Sequence, residues 1–429
     1  MSRRDGLGRL VASLAMVAGI SLSAGAQTPD RTRTEEELTL EEARARALDS
    51  GPELRAAAAH LAAVEGALQQ ARALPNPDLS FEVEDFGGNL PVDVPSQQTL
   101  SIGQRVEWFG KRSARVEAAR LESEVASFDL ARRRRDVGHE VERRFAALLG
   151  AQERLAIADE STATAREVRA AVAALVSAGE VSPIEETRAL GDEALAGIDR
   201  GGAARDVADA ARALSQLWGD ATASTPRAAG RLAQTALLLD RDAAFGGLVL
   251  LPDLARWDAE TARLQALETL ARREILPDLT LSAGARSFAG TGLRTWVAGV
   301  SLPVPLLTTY SGARSEATAR LEQARQERRA EEARLRAACL TAQEALRQAS
   351  SEVRILNESV LPNALLVYDA LGEGYRRGKF RLLDLLEARR NLASVRLRVI
   401  DARTRLNLAL ADVRRLAPEE LTAETRGTE

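Results

Sequence analysis

Strict period-two alternation runs through four short stretches of this chain. In residues 79–84, Leu79, Phe81 and Val83 share one face, while Ser80, Glu82 and Glu84 share the other. After a Gly/Pro-rich loop over 86–96 the alternation resumes to residue 108. Leu100, Ile102, Val106 and Trp108, broken only by Gln104, oppose Thr99, Ser101, Arg105 and Glu107. Further on, Leu279, Leu281, Ala283 and Ala285 oppose Thr280, Ser282, Gly284 and Arg286. Past a loop over 288–293, Trp296, Ala298, Val300 and Leu302 oppose Val297, Gly299 and Ser301. The pattern predicts two β-hairpins. Apolar-out, polar-in strands of about ten residues are the pattern of a transmembrane β-barrel. A soluble sandwich strand alternates as well. Two features favour the barrel: Glu82, Glu84, Arg105, Glu107 and Arg286 suit a watery lumen, and Trp108 and Trp296 lie near strand ends, where interfacial aromatics belong. Four strands cannot close a barrel, the smallest membrane barrels having about eight. A lipid-exposed edge leaves backbone groups unpaired, so strands of this kind require several copies to join.

Between the hairpins the period changes. No proline occurs between Pro95 and Pro183, and the stretch from Ser113 to about Ala178 reads as one helix. Phe145, Leu148, Leu149, Gln152 and Leu155 mark its apolar stripe, continued by Val168, Val172, Leu175 and Val176. At 1.5 Å per residue such a helix approaches roughly 100 Å, a length no compact domain needs. The stretch from Ala313 to about Gly374 is similar, with Pro362 expected to kink it. Ser182, Pro183 and Glu185 form an N-cap, first-turn proline and acidic first turn for a returning helix to about Trp218. A second turn over 377–381 leads a returning helix to about Leu416. Near the start, Thr39 with Glu42 predicts a capping box, and Gly51-Pro52 separates that helix from one over 53–73.

The two halves are copies in outline. Leu276, Pro277, Asp278 and Leu279 repeat Leu74, Pro77, Asp78 and Leu79, and residues 312–316 echo 113–117. Residues 378–384 fall in register with 179–185, about 200 residues earlier. Such periodicity marks a duplicated architecture. The fold class expected is mainly α with a small β part: long antiparallel helical hairpins plus four membrane strands per chain. The order expected is a signal peptide (1–26), N-terminal helices (27–74), a first β-hairpin (75–109) and a first helical hairpin (110–218). An equatorial segment (219–252), a helix (253–275), a second β-hairpin (276–305), a second helical hairpin (306–417) and a tail (418–429) follow.

Composition narrows the function. Aromatics make up 3% and charged residues 28% of the 429 residues, which suits long helices in coiled-coil-like contact. The 58 Lys+Arg and 62 Asp+Glu leave a net charge of -4, too even and too interspersed for a nucleic-acid partner. Arg132 to Arg135 point around a whole helical circumference and read as a solvated surface. Arg3, Arg4 and Arg9, an apolar run over 10–20 and Ala24-Gly25-Ala26 predict an export signal, either general or twin-arginine. Its removal takes away three Arg and one Asp. Cys339 reads as a small buried apolar residue. His60 and His139 show no ligand-like spacing and read as solvated or capping, so no metal site and no cofactor is expected. No nucleophile–base set or phosphate loop appears, which argues against an enzyme.

Three motifs carry a family likeness. They are Leu74-Pro75-Asn76-Pro77 entering the first strand, Glu84-Asp85-Phe86-Gly87-Gly88, and the run from Gln104 through Trp108 to Arg112. The stretch Gly374-Tyr375-Arg376-Arg377-Gly378-Lys379-Phe380-Arg381-Leu382-Leu383-Asp384 adds a fourth. With these, the mature chain resembles the TolC-like outer-membrane efflux factors, and within them the CzcC branch of heavy-metal and cation efflux. The resemblance implies a homotrimer with twelve strands in one outer-membrane barrel and twelve long helices as a periplasmic tunnel. It also implies a periplasmic adaptor protein and an inner-membrane pump, of RND type, as partners. It places the adaptor contacts at Gly179, Val181 and Ser182 in one copy and Gly378, Phe380 and Arg381 in the other. It places a constricting acidic gate at Asp384 and Glu387, with Glu387 where aspartate is commonest, and Tyr375 beside it to hold the closed tip. Asp384 and Glu387 share one helix face. Without the resemblance they read as a solvated surface. Multidrug export and type I protein secretion stay open as alternatives for the duct. A periplasmic coiled-coil protein that never enters a membrane is the structural alternative.

Overall fold

The computed structural model describes residues 37–86, 95–220, 226–235, 247–248, 250–304, 310–377 and 379–417. The export signal over 1–26, the polar stretch to residue 36, most of the 86–96 loop, Gly378 and the tail lie outside the described residues, as do parts of the 219–252 segment.

The described chain begins with β1 (Glu37–Leu38), α1 (Leu40–Ser50) and α2 (Pro52–Arg72). The first hairpin is β2 (Asp78–Glu84) with β3 (Gln97–Val106), and the first helical pair is α3 (Lys111–Ser177) with α4 (Pro183–Ser215). A 3-10 turn (Gln216–Trp218), β4 (Arg227–Ala228) and α5 (Pro252–Glu274) connect to the second hairpin, β5 (Leu279–Phe288) and β6 (Arg294–Ser301). The second helical pair is α6 (Ser311–Ile355), continued through a π-turn (Leu356–Val360) by α7 (Leu361–Arg376), and returned by α8 (Leu382–Leu416).

Local chemistry accounts for the ends of these rods. The Thr39 hydroxyl accepts from the Glu42 N–H at 3.3 Å while the Glu42 carboxylate accepts from the Thr39 N–H at 2.9 Å, closing the capping box that starts α1. Ser182 caps α4 through the Ile184 N–H, ahead of Pro183. At Pro362 the second rod carries a π-turn, Leu356–Val360, immediately before the proline's helix. Proline lacks an N–H, and its ring collides with the carbonyl four residues back. The chain meets this with one widened turn placed just before the proline.

The rods and strands lie in the same lateral order at every height. The sheet runs β2-β3-β5-β6, antiparallel throughout. Next to it the helices run α2-α3-α5-α6, each packed on the next. Towards the far end they run α4-α3-α8, with α6 and α7 against the other side of α8. Between the two helical tiers sits a core of Leu38, Val141, Phe145, Leu148, Leu214 and Ile400. A second core joins α6 to α8 through Leu346, Val353, Leu406 and Val413. The parallel pairing of β1 with β4 closes the first core, and it was invisible to pattern reading because two-residue strands carry no periodicity. Cys339 is buried beside Leu335 and Leu254, and desolvation pushes its thiol pKa up.

Candidate functional site

Register decides which side of the sheet is which. Leu79 pairs with Ile102, Ile102 with Ala283, and Ala283 with Ala298. Directly paired antiparallel residues share a face, so the apolar sets of all four strands merge into one surface. That surface is exposed: Leu79 at 75%, Phe81 at 64%, Val300 at 69% and Trp296 at 90%. The polar set is more covered and bonded within itself. Ser80 and Ser101 hydroxyls lie 2.7 Å apart. Arg286 donates to Thr99 at 2.9 Å and Gln97 at 3.0 Å, and meets Glu84 at 3.2 Å. Gly284 lies on this side, where an added Cβ would come within 2.5 Å of the Leu100 carbonyl oxygen and 2.6 Å of the Ser101 Cβ, so the position has no room for a side chain. Apolar outside and polar inside inverts a soluble sheet and matches lipid outside, water inside.

Trp296 is the third residue of β6, next to the 288–293 loop. Trp108 stands at the helical end, two residues beyond β3, which stops at Val106, and is half exposed. The two rings therefore sit at opposite ends of the apolar band, as interfacial girdles do. No helix among the described residues is long and apolar enough to cross a membrane, which says nothing of strands.

At the other end of the rods are two turns. α3 closes with Gly179 at φ +78°, a left-handed conformation that glycine adopts without strain, and the Glu180 N–H reaches the Leu175 carbonyl at 2.9 Å. Val181 and Ser182 complete this turn. In the second turn the Lys379 N–H donates to the Gly374 carbonyl at 2.8 Å, and the Phe380 ring lies over Gly374 where a side chain would collide with it. Gly378 lies outside the described residues.

Asp384 accepts the Arg381 N–H at 3.0 Å and lies 3.5 Å from the Arg381 guanidinium, so it caps α8 as well as carrying charge. Glu387, one turn further on, is exposed. Tyr375 is 37% exposed and is not joined to either acid within this chain. The structure thus brings Arg381 to Asp384 and Phe380 to Gly374, and leaves Tyr375 and Glu387 facing outward.

Pattern reading missed a ladder of ionic contacts between the first helical pair and α8. From the turns upward, Asp192 meets Arg390. Glu160 meets Arg396 at 2.9 Å, and Arg154 meets Asp401 at 2.8 Å. Higher still, His139 and Arg143 converge on Asp412 at 2.7 and 2.6 Å. His139 is therefore paired and half-buried, and it caps no helix. In the Arg132–Arg135 run, Arg132, Arg133 and Arg134 are exposed, as a solvated surface requires, and Arg135 is half-buried. Arg132 lies 3.3 Å from Asp253, Arg133 lies 3.4 Å from Glu53, and Arg135 donates to the Arg415 and Ala417 carbonyls at 2.8 Å. Arg415 joins this knot, meeting Asp253 at 2.9 Å and Asp136 at 2.7 Å. Charges spaced this way look alike on paper whether solvated or paired, since their partners are up to about 280 residues away. No group of His, Cys, Asp and Glu that could hold a metal ion occurs among the described residues.

Known proteins are similar to this chain in sequence or in fold. The cobalt-zinc-cadmium resistance protein CzcC of Cupriavidus metallidurans is 33% identical over 363 residues, covering 85% of this chain and 86% of that one. The nickel-cobalt-cadmium resistance protein NccC of Alcaligenes xylosoxydans is 27% identical over 309 residues, covering 71% and 68%. Among solved structures, CusC superimposes with a TM-score of 0.75 at 16% identity, over 88% of this chain and 92% of that chain. The family described as Outer membrane efflux protein matches residues 43–220 and 248–417. Strands, rods and turns together with these matches lead to one statement: the chain belongs to the outer membrane efflux protein family.

Proposed function

We propose that this chain is the passive duct of a tripartite efflux system, with three copies closing one twelve-stranded barrel and its periplasmic tunnel, and that it exports heavy-metal cations. Family membership makes it an outer-membrane efflux component rather than an enzyme. The observation that carries the assembly is the sheet: four strands, an exposed apolar face, and open edges at β2 and β6. In lipid an open edge strands backbone groups without partners, so other copies must continue it. Cation cargo is supported by relatives named for resistance to cobalt, zinc, cadmium and nickel. The metal is cargo, not a resident cofactor.

In this reading Gly179, Val181, Ser182, Gly378, Phe380 and Arg381 meet the periplasmic adaptor, and an RND-type inner-membrane pump supplies the driving force. Asp384 and Glu387, two acids in each of three copies, ring a narrow mouth that attracts cations. Tyr375 helps hold that mouth shut. Opening moves α7 and α8 away from α3 and α4, breaking the lower ladder contacts Asp192–Arg390 and Glu160–Arg396. The test is complementation. A strain lacking the outer-membrane component of a metal efflux system, but keeping pump and adaptor, should regain zinc and cobalt tolerance with this gene. Restored drug tolerance without metal tolerance would overturn the cargo, and protein recovered without detergent would overturn the duct.

A further inference from the structure

The first helical pair contains an unexplained cost. Helix α4 carries Gly191, Gly197, Gly201 and Gly202, and a Cβ added at any of them would meet nothing within 4 Å. Mid-helix glycine is unfavourable, and nothing inside the chain requires it. On the helical wheel Ala189, Ala196 and Val207 face α3, and Asp192 turns to Arg390 of α8. The remaining flank, away from α8, reads Leu190, Ala194, Gly197, Gly201, Ala204 and Ala208. These are spaced by three and four residues without one charge, and Leu190 is 49% exposed.

The opposite edge of the sector carries the complementary relief. α6 and α7 face α8 with Leu346, Val353 and Ala364, and turn Ile355, Ser359, Pro362 and Leu366 away from it. Ile355 is 51% and Leu366 69% exposed. The two turns are level, because Asp192 and Arg390 are each about 12–14 Å along their helices when they meet, at 1.5 Å per residue. On the same scale Gly197 and Gly201 stand about 21 and 27 Å from the turn, and Pro362 and Ser359 about 21 and 26 Å. The widened π-turn thus lies at the height of the glycines.

The occupant follows from continuity. β2, α2 and α4 form one flank of the sector, and β6, α6 and α7 form the other. A copy that continues the open β2 edge with its own β6 brings its α6–α7 rod beside this α4. We propose that Gly197 and Gly201 seat the π-turn and Pro362 of the adjacent copy, so that this seam of the tunnel is complete only in the assembly. The inference rests on the multi-copy duct reading and deepens it.

Cross-linking separates the two. The full chain bearing G197C and P362C, purified in detergent, should give covalent rings on oxidation, whereas R188C with P362C should not, because Arg188 lies on the other side of α4. An oligomer by light scattering without the G197C–P362C link, or with equal linking in the control, overturns the seam alone. A monomer overturns the duct as well. Gly201→Leu should abolish the oligomer while circular dichroism stays helical, and Gly201→Leu assembling as the parent does would overturn the seam.

Discussion

At the scale of single residues, charge and capping are separable at Asp384. Asparagine keeps an oxygen for the Arg381 N–H and drops the charge, so Asp384→Asn together with Glu387→Gln should leave α8 intact. Single-channel recordings in planar bilayers should then show higher conductance or weaker cation preference, and unchanged recordings would remove both acids from the gate. Asp384→Ala should additionally lose the cap, worth about 1 kcal/mol in a denaturant titration. Asp253 behaves differently. It is 3% exposed between Arg132 and Arg415, so Asp253→Ala leaves the mostly buried Arg415 guanidinium with Asp136 as its remaining acid and should cost about 1.5–3 kcal/mol. The exposed pairs, such as Arg120 with Glu117, belong to the class worth under about 1 kcal/mol. Nothing in the spacing of Asp253 or Arg415 distinguished them from such surface charges. Their importance arises from burial, which sequence alone does not display.

At the scale of elements, the regular parts were legible and the joints were not. The alternation of Leu79, Phe81 and Val83, and the stripe through Phe145, Leu148 and Leu149, followed from a single repeated spacing, and the strands and long helix appear where that spacing runs. The ladder from α8 to α3 and α4 depends on relative rotation of rods, which no local pattern encodes. One rung has a predictable response to acid. Burial pushes the Asp412 carboxyl up, but hydrogen bonds from His139 and Arg143, with the Arg143 charge, outweigh it and hold the group below the usual range. A carboxyl depressed in the folded state adds stability that is fully present above its unfolded value, near about 3.9, and fades as pH falls through the folded one. The melting temperature of Asp412→Asn should therefore lie below that of the parent at neutral pH, with the gap closing on acidification below about pH 4. A gap that persists in acid would show the rung acts by packing instead.

At the scale of the whole molecule, the open edges and the exposed apolar band predict an oligomer that resists detergent. Unheated samples should migrate as a compact species on gels and shift on boiling, and extraction from membranes should require detergent. A chain that stays monomeric in every detergent would contradict the sheet's own geometry. The rods add a mechanical asymmetry. α3 runs unbroken for 67 residues from the end of the sheet to the turn, whereas its counterpart is interrupted at Leu356–Val360. A force applied at the turns is passed upward stiffly by one member of the sector and absorbed at a joint by the other. Backbone amides around that joint should consequently exchange with deuterium faster than α3 amides at equal height, making the proline-adjacent turn the fulcrum on which any iris-like motion swings.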